Sequence, residues 1–148
     1  MCLYNCIIMC AVCCVVCQNG LGIGDLEDLE VFVGLTTLHL HDNHLTALDN
    51  LDACSKLIFL NLANNNITKL SQLEDMFYLE VLDVSNNDIT YLDIPVLPKA
   101  LKHLKLRGNP CWAEGDKEVQ DKLRRELIAN LPFIQSIEEV VINNPNNP

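Results

Sequence analysis

Apolar residues recur along the chain at a fixed interval. Leu35, Leu57, Leu79 and Leu101 stand 22 residues apart, as do Leu38, Leu60, Leu82 and Leu104. Leu40, Leu62, Val84 and Leu106 keep the same step, and so do Asn43, Asn65, Asn87 and Asn109. Each unit reads L-x-x-L-x-L-x-x-N: LTTLHLHDN, LIFLNLANN, LEVLDVSNN and LKHLKLRGN. Chance clustering does not hold such a register. Within each unit the L-x-L segment alternates at period two, the mark of a half-buried strand. A strand this short cannot cover its own apolar face, but stacked turns bury all of them in one continuous core. The pattern predicts an α/β solenoid with a parallel sheet of about four to five short strands on its concave face.

The repeating asparagine lies just past each strand, where the chain turns. A buried amide there bonds backbone groups that would otherwise lack partners. Asn43, Asn65, Asn87 and Asn109 are therefore read as structural positions and not as ligands. The remainder of each unit also keeps time. Leu45, Ile67 and Ile89 are followed by Leu48, Leu70 and Leu92, then by Leu51 and Leu73, then by Cys54 and Met76. These columns predict an irregular or 3₁₀ convex side, with Cys54 an inert core residue. Ile23, Leu26, Leu29 and Phe32 fit the same columns, so a partial opening repeat starts near Ile23. In the third unit Pro95 and Pro98 replace the expected apolar residues. Proline sits poorly inside a helical turn, which predicts an extended, irregular segment from Asp93 to Lys99.

After Asn109 the strand grammar stops. Lys117 to Asn130 reads as an amphipathic helix with Val119, Leu123 and Leu127 on one face. Leu131 to Ile137 is expected to fold back over the last repeat, since a solenoid left uncapped exposes its core. The organisation is thus an apolar, cysteine-rich segment at 1–22, repeats at 23–109, a cap at 110–142 and a polar tail at 143–148, which is expected to be disordered.

Composition sharpens this picture. The chain of 148 residues holds 10 Lys and Arg against 20 Asp and Glu, a net charge of −10. Such a balance argues against a nucleic-acid backbone and against an anionic membrane surface as partner, although excess acid also simply keeps a protein soluble. Six of the eight cysteines lie in the first 17 residues, and Cys54 and Cys111 stand apart. A disulfide framework would spread its cysteines. This distribution points to a reducing, cytoplasmic setting with cysteine used as a small hydrophobe.

Residues 1–17 themselves leave several readings open. A secretory leader lacks its basic start and its small-residue cleavage site. A membrane span needs about 20 apolar residues, more than this run supplies. Zinc ligation would need a second cysteine pair further along, whereas Cys10/Cys13 and Cys14/Cys17 sit back to back. An edge strand over Val12 to Cys17 suits the β-forming residues there. A faulty or truncated chain start would produce the same oddity.

One cluster invites a catalytic reading: His39, His41, Asp42 and His44 in HLHDNH. The register assigns His39 and His41 to columns held by Asn61 and Ala63 in the next unit and by Lys105 and Arg107 in the last. Those columns face solvent on the concave side. No Ser/His/Asp order, glycine-rich phosphate loop or paired-carboxylate pocket fits the repeat. No catalytic residue, metal site or cofactor is assigned, and a non-enzymatic role follows.

The candidate binding face consists of the outward strand columns. The first holds Thr37, Phe59, Val81 and His103, and the second His39, Asn61, Asp83 and Lys105. The third holds His41, Ala63, Ser85 and Arg107. Phe59 and Val81 are adjacent apolar groups inside a polar rim, the usual arrangement of an interface anchor. Alternatively, Phe59 merely covers neighbouring strands. The rim is graded, acidic at Asp42 and Asp83 and basic at Lys105 and Arg107.

The repeats resemble the leucine-rich repeat superfamily, in particular its intracellular 22-residue class, typified by the regulatory subunit of protein phosphatase 1 and axonemal dynein light chain 1. The likeness covers about Ile23 to Ile142. The ending GNPC, a helix, then LPFIQSI is similar to that class's cap, with Glu138 standing where the class has aspartate. The segment VLDVSNNDITYLDIPVLPKALKHLKLRGNPC is similar to small leucine-rich repeat proteins of cilia and sperm flagella. The resemblance implies protein binding without catalytic residues, in a cytoplasmic or ciliary complex. Two alternatives stay open. One is a secreted or membrane-attached recognition protein, for which the sequon Asn66-Ile67-Thr68 speaks and against which the missing cysteine-rich cap speaks. The other is a phosphatase regulatory subunit, which rests on class analogy alone.

Overall fold

A computed structural model of the chain describes residues 15–17, 19–24, 26 and 34–142. Each L-x-L segment contributes one three-residue strand. The strands are β1 (Val15–Cys17), β2 (Thr37–His39), β3 (Phe59–Asn61), β4 (Val81–Asp83) and β5 (His103–Lys105), followed by the shorter β6 (Ser136–Ile137) and β7 (Val140–Val141). They form one sheet in chain order, parallel from β1 to β6, with β7 antiparallel at the end. The register advances by the sequence period: Val15 pairs with Thr37, Thr37 with Phe59, Phe59 with Val81 and Val81 with His103. Among the described residues the sheet has seven strands, more than the four to five that periodicity suggests. The extra pair comes from the cap, outside the repeat.

Leu38, Leu60, Leu82 and Leu104 point from the strand centres into the core and are fully buried. Leu40, Leu62, Val84 and Leu106 join them, backed by Leu45, Ile67 and Ile89 and by the convex column of Leu51, Leu73, Cys54 and Met76. Ile23 and Leu26 extend this core toward the first strand. Leu29, Phe32, the start of the expected strand at Val12 to Cys14, and the tail at 143–148 lie outside the described residues.

The convex side carries 3₁₀ turns at Leu51–Cys54, Ile94–Val96 and Pro110–Trp112. The second of these corrects the expectation of an extended stretch from Asp93 to Lys99. Pro95 stands in the first turn, where a missing N–H costs nothing and the ring's fixed φ suits the helix. Ile94 and Leu97 then fill the core in place of the displaced column, and Pro98 is itself buried.

Four asparagines bind the turns together. Asn65 Oδ1 accepts the backbone N–H of Leu45 at 3.0 Å, while its Nδ2 donates to the carbonyls of Leu40 and Leu62. Asn87 repeats this with Ile67, Leu62 and Val84, and Asn109 with Ile89, Val84 and Leu106. Asn43 accepts from Leu21 and Ile23. Every one of these amides therefore spans two successive turns and neutralises buried backbone groups that no strand ladder reaches.

Just before each asparagine the chain turns through a left-handed residue: Asp42 (φ 59°), Asn64 (57°), Asn86 (54°) and Gly108 (77°). Short Asx side chains tolerate this region. Here they also stack, Asn64 donating to Asp42 Oδ1 and Asn86 donating to Asn64 Oδ1, each at 2.7 Å. Gly108 ends the column beneath the overhanging side chain of Asn86, where a Cβ would stand 2.0 Å from Asn86 Oδ1.

The C-terminal end is closed by α1 (Lys117–Asn130), whose N-cap Asp116 accepts from the N–H groups of Glu118 and Val119. Leu127 is buried, and Leu123 and Ile128 pack against the core. Val119 departs from the expected buried face and is 41% exposed, because it lines an open surface groove with Tyr91, Leu92 and Leu123. Leu131, Ile134 and Ile137 complete the closure. Glu138, at φ 58°, turns the chain between β6 and β7, and its carboxylate accepts the N–H groups of Leu106 and Arg107. Glutamate thus makes a capping bond at this position. No helix among the described residues is long and apolar enough to cross a membrane.

Candidate functional site on the concave face

Strand alternation sends the residues flanking each buried leucine to the open face. The pairing register brings Thr37, Phe59, Val81, His103 and Ser136 into one row, and His39, Asn61, Asp83 and Lys105 into the next. Phe59 and Val81 are half-buried neighbours at the centre. The His39 ring lies against Phe59 at 4.9 Å between centroids, and His41 meets His39 edge-on at 6.1 Å. Burial, and secondarily the neighbouring His41, holds the His39 imidazole below its ordinary value of 6.5. His39 is therefore chiefly neutral near pH 7 and acts as an aromatic wall of the site.

The third column departs from expectation. Ala63 is buried, not solvent-facing, and its N–H donates to the Asn61 side chain at 3.0 Å. Asp83 likewise accepts the N–H of Ser85. His41 is half-buried and Arg107 exposed.

The charge gradient along the rim also changes. Lys105 reaches Asp83 at 3.5 Å, and Arg107 reaches Glu114 at 3.7 Å. Both bases expected to make the C-terminal end positive are thus paired with acids. Asp42 lies 3.7 Å from His41 and accepts from Asn64. His103 shares a 2.8 Å hydrogen bond with Ser136.

Between the Phe59 end and the cap the face deepens into a recess of about 320 Å³, whose lining adds Ser136, Glu138 and Glu139 to the strand residues. Periodicity could not reveal these three, because β6 follows β5 after a step of 33 and not 22. The cap motif carried the one available signal, at Glu138. Among the described residues no three His, Cys, Asp or Glu side chains converge as a metal site would require. The Cys54 and Cys111 thiols are both pushed up to about 11, first by burial, so neither is an activated nucleophile.

The comparisons with known proteins agree with this geometry. Residues 33–75 match the family described as Leucine Rich repeats (2 copies), and residues 76–93 match that described as Leucine Rich repeat. A leucine-rich repeat protein of Leptospira interrogans is similar in structure, with a TM-score of 0.63 and 26% identity over 78% of this chain and 28% of its own. An internalin, InlF of Listeria monocytogenes, gives 0.62 at 21% identity over 84% of this chain and 35% of its own. The functional domain of InlJ from Listeria monocytogenes, which includes a cysteine ladder, gives 0.52 at 35% identity over 68% and 21%. This chain therefore spans little more than a third, at most, of these three structures. No curated protein sequence matches it significantly. Repeats, register and sheet together define a leucine-rich repeat solenoid, an architecture whose general use is as a protein-interaction module.

Proposed function

We propose that this solenoid is a non-enzymatic adaptor that binds a protein partner on its concave face, anchored at Phe59 and Val81, within a cytoplasmic complex of a cilium or flagellum. The observation that carries the binding site is the half-buried Phe59–Val81 pair, side by side in register and walled by His39. Anchors of this kind, enclosed by polar groups that exclude water, dominate binding energy at interfaces. The net charge of −10 favours a protein over a nucleic acid. The ciliary setting is supported by the likeness of the proline-interrupted third repeat to flagellar leucine-rich repeat proteins.

The test is Phe59→Ala combined with Val81→Ser, checked for an unchanged melting curve and then assayed against partners recovered by the wild-type chain in ciliated cells. Loss of at least about 1 kcal/mol of binding is expected. A smaller loss moves the site off this face, and a tagged chain excluded from cilia sinks the ciliary assignment. One observation favours a second reading, that of a secreted recognition protein: Asn66 and Thr68 of the sequon are both exposed. Glycan found on Asn66 by mass spectrometry would select it.

A further inference from the structure

We infer that the recess at the C-terminal end of the concave face takes an extended peptide segment of the partner, carrying an apolar side chain and, about four residues away, a lysine or arginine. This inference rests on the concave-face reading and specifies the chemistry of what binds there.

The floor at one end is apolar, made by Phe59 and Val81. Toward the cap stand two carboxylates, Glu138 and Glu139, and on β4 beside Val81 stands Asp83, against the single ammonium of Lys105 in the lining. Lys105 is already 3.5 Å from Asp83. Glu138 is buried with one oxygen committed to two backbone N–H groups. Glu139 is exposed. A partner that covers this end removes water from more negative than positive charge, and leaving that excess unpaired is costly. A cationic side chain supplies the complement, whereas an acidic one would meet the carboxylates head on. The whole chain's charge of −10 steers encounters in the same direction.

Spacing follows from the sheet. From Phe59 on β3 to Ser136 on β6 there are three inter-strand steps, about 14 Å at the usual strand separation. An extended segment covers that distance in about four residues. The apolar side chain seats against Phe59 and Val81, and the cation reaches Glu139.

The experiment pans a phage-displayed library of random dodecapeptides against the immobilised full chain. The strongest sequence is then measured as a labelled synthetic peptide by fluorescence polarisation. Enriched sequences should pair an aromatic or large aliphatic residue with Lys or Arg roughly three to five positions away. Replacing that base by Glu should weaken binding about tenfold, and Glu139→Lys in the protein should do the same. The two changes together should restore much of the loss. Binding lost in Phe59→Ala but indifferent to Glu139→Lys keeps the concave site and overturns the cationic partner. Binding indifferent to both changes overturns both readings, and absence of any enrichment overturns the inference.

Discussion

The carboxylate of Glu138 takes the backbone N–H of Leu106, the bond that a main-chain carbonyl makes at the three turns before it. Leu40 donates to the carbonyl of Asn61, Leu62 to that of Asp83, and Val84 to that of Lys105. In the register of β5 with β6 the next acceptor would be the carbonyl of residue 138 itself. The left-handed turn there redirects that carbonyl, and the side chain takes its place. Glu138→Ala should therefore leave a buried N–H unmatched and lower stability by about 1–3 kcal/mol. Urea unfolding would measure it, and an unchanged midpoint would show that water replaces the carboxylate freely.

Gly108 faces two constraints at once: φ of 77° and the Asn86 side chain overhead. Gly108→Ala should destabilise the chain by more than the roughly 1 kcal/mol typical of a left-handed position alone. Adding Asn86→Ala removes the nearest clashing atom and should recover part of the loss. A double-mutant cycle with no coupling between the two positions would refute the contact.

Asn87 occupies a buried site in which oxygen and nitrogen are both used. Asn87→Leu keeps the volume but strands the Ile67 N–H and two carbonyls, and a loss of about 1–3 kcal/mol is expected. A variant that melts normally but no longer binds the partner would instead make this asparagine a ligand.

The lowered pKa of His39 has a defined consequence for pH. Below 6.5 the unfolded chain takes up a proton at this position before the folded chain does. The His39 contribution to stability is thus present above 6.5 and is lost as pH falls through the lower, folded value. His39→Gln should flatten the acid side of the stability–pH curve in that window, and NMR titration should place the His39 midpoint below that of an exposed histidine. A midpoint at or above 6.5 would contradict the burial of the ring against Phe59.

The repeats were legible in the sequence because a strand with one buried face must alternate, and stacking forces the alternation to recur at one interval. Leu60 and Leu82 are buried, and Phe59 pairs with Val81, as that interval requires. Elements outside the interval were not legible. Strands β6 and β7 have two residues each, too few to show a period. Pro95 read as a breaker because sequence alone does not say that it falls in a first turn, where proline is accepted. Ala63 read as solvent-facing because it continues the alternation of the strand, yet it lies past the end of β3, where the period-two rule no longer holds. The recess was half legible: its apolar floor lies on the repeat, but its acidic wall comes from the cap. That wall reverses the charge expected at this end of the face.

The asparagine ladder makes every internal turn interchangeable with its neighbour. Each Asn needs only a carbonyl 25 residues behind it, just past a strand, and a backbone N–H 20 residues behind it, and finds the same pair at each step. A tandem duplication of residues 66–87 would therefore lengthen the array by one turn and reproduce every bond of the ladder. A duplication one residue shorter would put a side chain of the wrong face into the asparagine's place. Growth or shrinkage of this molecule is thus quantised, and the curvature and length of its binding surface can change only in whole turns.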